Sequence, residues 1–337
     1  MTDPRFDVVG IGSAIVDILA HADDSFLAAQ DLPKSGMVLI DEARAEALYT
    51  AMGPAVEISG GSASNTMAGI ASLGGRGAYI GKVRNDTLGG IFTHDIRAMG
   101  VHFDTAPLSE GPATARCMVL VTPDAERTMA TYLGACTRLG PDDINREVVA
   151  DAAITYVEGY QWDMAAAKDA ILVAADTARA HNRRFAFSLS DSFCVDRHRA
   201  EFLDLIRNRV DILFANTAEV LALTETEDFD AASRAMQQLC PLSVLTRSGD
   251  GCRIVTSEGM VDVPAHRVDT IVDMTGAGDQ FAAGFLWGLC RGHDYGTCGR
   301  IAAVCAAEAI SHLGARPNVP SLAALVHETL GLNGTPQ

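Results

Sequence analysis

Six short apolar runs, each closing on a glycine or a polar residue, constrain this chain more than any other feature. They are "FDVVGIG" (6–12), "RGAYIGKV" (76–83), "ITYVEGY" (154–160), "RFAFSLSD" (184–191), "VDILFANTAEV" (210–220) and "LSVLTRSGDG" (242–251). Each reads as a short buried strand, and helical stretches at 163–181, 196–209 and 228–239 lie between the later ones. Strands alternating with helices of this length make βαβ units. They predict an α/β chain with a mostly parallel central sheet and helices on both faces. Such sheets bind ligands beyond the carboxyl ends of their strands, where these polar and glycine-rich tails would lie.

Two stretches break the alternation. "ATARCMVLVTPDAERTMATYLGAC" (113–136) reads as two antiparallel strands around a Pro123-Asp124 turn. We expect residues 14–59 and 108–137 to form a small β-rich lid over the substrate site. Residues 1–13, 60–107 and 138–330 would then form the α/β core.

Charge narrows the partners. A formal net charge of −17 gives no footprint for nucleic acid or for an anionic membrane. An anionic substrate would have to be held by backbone N–H groups or a metal ion. The eight cysteines show no metal-type pairing and read as reduced core thiols of a cytoplasmic protein. The start "MTDPRFDVVGIG" has neither the basic head nor the apolar run of a signal peptide.

Two phosphate-binding motifs look right and fail. "GIGSAI" (10–15) puts Ile15 where a dinucleotide fingerprint needs its third glycine. "RGAYIGKV" has Arg76 and Val83 where a P-loop needs glycine and Ser/Thr. The stretch "DMTGAGDQFAAGF" (273–285) is more promising. Gly276, Ala277 and Gly278 can present consecutive backbone N–H groups at a helix start, and the helix dipole favours an anion there. Asp279 follows in the first turn, where it could take a proton from an attacking hydroxyl. The plainer reading is an aspartate capping a buried helix.

That stretch resembles the C-terminal signature D-T-x-G-A-G-D-x-F of the ribokinase-like (PfkB) carbohydrate and nucleoside kinases. "GGSASNTMAGIASLG" (60–74) is similar to their G-G-x-x-x-N motif and "NTAEV" (216–220) to their N-x-x-E motif. "SHLGARPNVP" (311–320) resembles the segment that closes their nucleotide site. The matches keep the family's order over more than 300 residues. "PDAERTMATYLGA" and "SLSDSFCVDRHR" are closer to bacterial adenosine kinase-like members.

The resemblance implies a ribokinase-like fold and an ATP- and Mg²⁺-dependent kinase for a primary hydroxyl, with K⁺ used by many relatives. Adenosine, at its 5′-hydroxyl, is the favoured acceptor. A ribose- or fructose-type sugar is the alternative, and a non-catalytic nucleoside or sugar sensor is the remote one. Asp279 matches the catalytic base, and Gly276, Ala277 and Gly278 match the anion hole. Asp17 would bind two sugar hydroxyls, with Gly60, Gly61 and Asn65 against the sugar. Ser13 stands where relatives often carry Asn. Asn216 and Glu219 would organise Mg²⁺ through its waters. Thr246, Gly249 and Gly251 would border the nucleotide, with Ser248 at an expected glycine and Gly249 supplying flexibility. Asp273, Ser311 and Gly314 match a monovalent-cation site, although Met274 replaces the usual Thr.

Other residues read more plainly. His94, His102, His198 and His312 lack metal spacing, and Trp162 reads as packing. Arg116, Arg138 and Glu158 are distant candidates for the site. An exposed lid edge would let two copies of the chain pair.

Overall fold

The computed structural model of the chain describes residues 3–124 and 126–332. Fourteen strands are β1 (Phe6–Ile11), β2 (Ile15–His21), β3 (Met37–Leu39), β4 (Ala55–Gly60), β5 (Gly77–Ile80), β6 (His102–Phe103), β7 (Ala115–Val121), β8 (Arg127–Tyr132), β9 (Ala152–Glu158), β10 (Arg184–Ser188), β11 (Ile212–Asn216), β12 (Leu242–Thr246), β13 (Cys252–Thr256) and β14 (Gly259–Val263). Nine form the large sheet, in the order β14-β13-β12-β11-β10-β9-β1-β5-β6. Pairing is parallel from β12 through to β6 and antiparallel only at the β12-β13-β14 edge. All six apolar runs supply strands of this sheet.

From β1 the chain winds to β5 and β6 on one side, then returns to lay β9 through β12 on the other. The order therefore reverses between β1 and β9. That is where an open α/β sheet leaves a crevice at its carboxyl edge. Apolar side chains fill both faces: Val8, Tyr156 and Phe214 on one, Val9, Val157 and Phe187 on the other.

The remaining five strands form a second sheet, ordered β3-β8-β7-β2-β4. β7 and β8 run antiparallel around the Pro123-Asp124 turn, as the sequence suggests. The stretch before β4 is less β-rich than anticipated, because helices Asp24–Ala29 and Glu42–Ala51 interrupt it. Asp23 and Asp41 start them, each accepting a hydrogen bond from a first-turn N–H. Leu27, Ala45 and Leu48 join Val16, Ile18, Met118 and Leu120 in one buried cluster. The opposite face carries Ile15, Leu19, Cys117, Val119 and Met129.

The helix Ala277–Cys290, apolar beyond Asp279 and Gln280 in its first turn, lies between helices Ser62–Ser72 and Tyr295–Ala309. Its close packing depends on absent side chains. A Cβ on Gly284 would lie 2.8 Å from Ala302 Cα, and one on Gly69 would lie 2.7 Å from Ala283 Cβ. All eight cysteines are free thiols, and only Cys290 is more than marginally accessible. No helix among the described residues is long and apolar enough to cross a membrane.

Candidate active site

Helix Ala277–Cys290 begins at Gly276, whose φ of +76° is left-handed and which offers no capping side chain. Its first-turn N–H groups therefore lack the usual internal partner. The Ala277 N–H turns back to Met274 O at 3.3 Å, which leaves its neighbours for a ligand. A Cβ on Gly278 would meet nothing within 4 Å, so space stands over that amide.

Asp279 does not cap its own helix. Its Oδ1 accepts from Ser62 Oγ at 2.6 Å and its Oδ2 from Asn65 Nδ2 at 3.1 Å, both on the neighbouring helix Ser62–Ser72. Burial raises its pKa to about 6, the Ser62 and Asn65 donors oppose that rise, and Glu158 adds to it. Asn65 accepts in turn from Arg316 Nε at 3.1 Å.

The crevice between β1 and β9 supports that helix start. Glu158, fully buried at the end of β9, accepts from Ser13 N at 2.7 Å and from Ala63 N at 2.8 Å. Ser13 Oγ accepts from Gln161 Nε2 at 2.6 Å. Glu158 thus ties three separate segments together. Gly61, at φ +92°, caps helix Ser62–Ser72 against the Ser13 carbonyl.

The second sheet brings Asp17 to the same place. It pairs across to Ile58 on β4 and Cys117 on β7, on the face that also carries Leu19, Val119 and Met129. A Cβ on Gly60 would collide with its carboxylate, so only glycine leaves room there. Burial lifts the Asp17 pKa to about 6, Arg316 and Arg127 oppose the rise, and Asp279 adds to it. Asp17, Gly60, Gly61, Asn65 and Asp279 therefore converge.

The residues anticipated around the nucleotide lie at the ends of β11 and β12. Asn216 and Glu219 form a capping box on helix Thr217–Thr224. Glu219 Oε2 accepts from Asn216 N at 2.9 Å and Oε1 from Asn216 Nδ2 at 2.6 Å. Burial raises the Glu219 pKa to about 7, and Asp191 nearby adds to it. A buried carboxylate beside a second one has the chemistry to hold a divalent ion's water shell.

The Thr246–Gly251 loop differs from expectation in one respect. Its left-handed residues are Ser248 (φ +53°) and Gly251 (φ +84°), not Gly249. Ser248, at the position of an expected glycine, itself adopts a left-handed backbone, and a Cβ on Gly251 would strike the Val263 carbonyl.

At the anticipated monovalent-cation site, Asp273 is hydrogen-bonded and ion-paired within the protein. Asp273 Oδ2 accepts from Gly314 N at 2.9 Å and pairs with Arg127 Nη2 at 2.5 Å; its Oδ1 accepts from Thr275 N at 3.0 Å. Ser311 Oγ donates to Glu308 O instead.

Three of the plainer readings hold. Trp162 packs on Phe187 and Phe202, His198 pairs with Asp163, and His312 with Glu308. Arg116 lies over the Tyr132 ring, away from the convergence, and Arg138 is exposed on a short 3₁₀ turn. Sequence reasoning overlooked Ser62, Arg127, Gln280 and Arg316. Each lies inside a stretch that stood out for other residues, and no local pattern marks them.

Comparison with known proteins agrees with this fold. Residues 37–322 match the model of the pfkB family of carbohydrate kinases. The adenosine kinase of Sinorhizobium meliloti has a solved structure with TM-score 0.90 and 54% identity, covering 96% of this chain and 99% of that one. A probable sugar kinase from Rhizobium etli CFN 42 has TM-score 0.91 and 50% identity, over 98% and 99%. The adenosine kinase of Saccharomyces cerevisiae is 25% identical over 95% of this chain and 98% of its own length. The α/β fold, the uncapped Gly276–Asp279 turn and the family match agree: this chain belongs to the pfkB family of carbohydrate kinases.

Proposed function

We propose that this kinase transfers the γ-phosphoryl group of ATP to the 5′-hydroxyl of a purine nucleoside, adenosine foremost. The observation that carries the reading is the pair of carboxylates, Asp17 and Asp279, meeting beside an apolar wall of Leu19, Val119 and Met129. Asp17 can accept from two neighbouring hydroxyls at once, as a ribose cis-diol offers. The apolar wall suits a purine better than the hydroxyls of a free sugar. The 54% identity to an adenosine kinase supports the same acceptor.

In the proposed reaction Asp279 takes the 5′-hydroxyl proton as that oxygen bonds to the γ-phosphorus and the bond to ADP breaks. A carboxyl with a pKa near 6 is ionised at pH 7 yet more basic than an ordinary aspartate, as a general base requires. Ser62 and Asn65 hold the carboxylate in place. The Gly276 and Gly278 amides and the helix dipole would stabilise charge on the transferring group, with Ala277 spacing them. Thr246, Gly249 and Gly251 would border the nucleotide. Asn216 and Glu219 would hold Mg²⁺ through its waters, and the ion supplies charge neutralisation at the phosphates. The Arg127–Asp273 pair joins the second sheet to the anion-hole turn. It would hold the lid shut and exclude water.

Residues 14–59 and 108–137 would act as that lid. Exposed Met37, Leu39 and Val56 on its outer strands are where a second copy would pair. Eight free thiols suit a reducing, cytoplasmic setting.

The test is ATP consumption with Mg²⁺, with and without K⁺, across adenosine, inosine, guanosine, cytidine, ribose, fructose and fructose 6-phosphate. Preferential turnover of adenosine is the expected outcome. Turnover of a free sugar alone would replace the acceptor, and binding without turnover would point to a sensor.

A further inference from the structure

Arg316 is a half-buried cation that the phosphoryl-transfer scheme above does not use. It sits on the loop after helix Tyr295–Ala309, and that loop is pinned on both sides. Ala315 O accepts from Gln280 Nε2 at 3.0 Å, Gly314 N donates to Asp273 at 2.9 Å, and Asn318 N donates to Glu308 at 2.9 Å. The same Gln280 amide also donates to Asn65 O at 2.9 Å. The loop is thereby locked to both helices of the acceptor site.

From this fixed backbone the guanidinium uses all three of its nitrogens. Nε donates to Asn65 Oδ1 at 3.1 Å, Nη2 to Ser64 Oγ at 2.7 Å, and Nη1 to Ser59 Oγ. The two ends of an asparagine amide have nearly the same shape, so neighbours decide which way it faces. A cation at Oδ1 settles the matter. Nδ2 must then point the other way, where it donates to Asp279 Oδ2 at 3.1 Å. Reversed, the amide would present its oxygen to the carboxylate and repel it.

We infer that Arg316 is a positioning residue of the acceptor site: it fixes the Asn65 amide so that it donates to Asp279, and it is the cation that faces both Asp279 and Asp17. The inference rests on Asp279 being the general base. The charges facing these groups are few. Asp17, Asp95, Tyr79 and Asp279 face Arg316. Glu158, Tyr156 and Tyr160 also face Asp279, and Arg127 and Cys117 also face Asp17. Burial depresses the Arg316 pKa to about 10, which still leaves it charged at neutral pH. With Arg316 removed, Asp279 would keep Glu158 as a neighbour, lose a nearby positive charge and lose a fixed donor. Each loss moves its titration upward.

The test compares wild type, Arg316→Met and Arg316→Lys by kcat/KM for adenosine between pH 5 and 9, with KM for MgATP and thermal melting measured alongside. In Arg316→Met the rate constant at pH 6.5 falls roughly 10- to 100-fold, as misplacing a reacting group does. Its acidic limb moves up by about one pH unit, and KM for MgATP stays unchanged. Arg316→Lys restores the limb, because the charge returns. It does not restore the plateau, because one ammonium cannot serve Asn65, Ser64 and Ser59 together. This variant also decides the matter if Arg316→Met fails to fold. Limbs and plateaus equal to wild type, with only the melting temperature lowered, would make Arg316 a packing residue and overturn the inference. If wild type phosphorylates none of the acceptors, the kinase reading fails instead. The carboxyl carbon of Asp279, followed by NMR in the unliganded protein and assigned by its loss in Asp279→Asn, would then decide. It must titrate higher in Arg316→Met, and an unmoved resonance sinks the inference.

Discussion

Two helices of this protein start with the same local arrangement and put it to opposite uses. Asp279 and Glu219 are each the third residue of a helix, following Gly276 and Asn216 as caps. Glu219 folds back, donors of Asn216 hold both its oxygens, and the capping box closes on itself. Asp279 has no capping side chain to meet. It reaches 217 residues away in sequence to Ser62 and 214 to Asn65. An acid in a first turn is favoured in either case by the helix dipole. What separates the two is the cap: a capping side chain ties the acid to its own helix start, and a glycine leaves both the acid and the amides to reach across the site.

The largest effect should come from removing the acid that was left free. Asp279→Asn keeps the shape and the Ser62 contact but cannot accept the proton. Turnover should fall about 10²- to 10⁴-fold, while calorimetry shows adenosine binding within a few-fold of wild type. Stability should report the same charge. The folded carboxyl, at about 6, holds its proton more tightly than the unfolded one near 3.8. Its contribution is therefore full below pH 4, falls as pH rises through 6 and is flat above. Asparagine removes that decline, so the variant should gain on the order of 1 kcal/mol over wild type between pH 4 and pH 8. Urea melts at the two values check this, and parallel melts would mean that Asp279 titrates as an ordinary aspartate.

Next comes the glycine cap itself. Gly276→Ala forces a side chain onto a left-handed residue and into Ala315, so it should cost about 1–3 kcal/mol and most of the activity. Two residues on, Gly278→Ala meets open space in a helical turn. It should stabilise the empty protein by about 0.4–1 kcal/mol while weakening MgATP. Denaturation and KM measurements on the pair give opposite signs if the space over Gly278 belongs to the phosphates. Equal stability losses would mean the two glycines serve the fold alone.

The comparison also explains what could be read before the fold was known. The Gly276–Asp279 turn was legible because its chemistry is written in consecutive residues, and the parallel sheet was legible because each strand carries its own apolar run. The capping box at Asn216 was equally local, although nothing local tells a closed box from an ion site. Arg316 and Ser62 were illegible for the opposite reason. Arg316 acts on Asn65 from 251 residues away, and its neighbours in "GARPN" say nothing of that. Glu158 joins segments 145 and 95 residues distant, an arrangement set by the β1–β9 crevice. Arg127 meets Asp273 only because the second sheet folds over the first. The two helices of the second-sheet region were missed because they are short and only their aspartate caps, Asp23 and Asp41, carry a signal.

The smallest predicted effect is the sharpest test of the cap argument. Asn216→Gly gives the Glu219 helix the kind of cap that Asp279 has. Glycine is nearly as good as asparagine at a helix start, so the cap alone should cost only a few tenths of a kcal/mol. Glu219, however, loses the Asn216 Nδ2 donor to its Oε1 and keeps the backbone N–H at Oε2. Its pKa, already raised to about 7 by burial, should climb further. The folded protein must then ionise a worse-solvated carboxylate as pH rises, whereas the unfolded chain ionises its own near 4.5. The variant's deficit should therefore be small at pH 6 and grow by about 1 kcal/mol at pH 8.5. Urea melts of wild type and variant at both values read it directly. A deficit that stays constant with pH would mean that the Asn216 side chain does not hold the Glu219 charge, and the contrast between the two helix starts would then lie in the Gly276 cap alone.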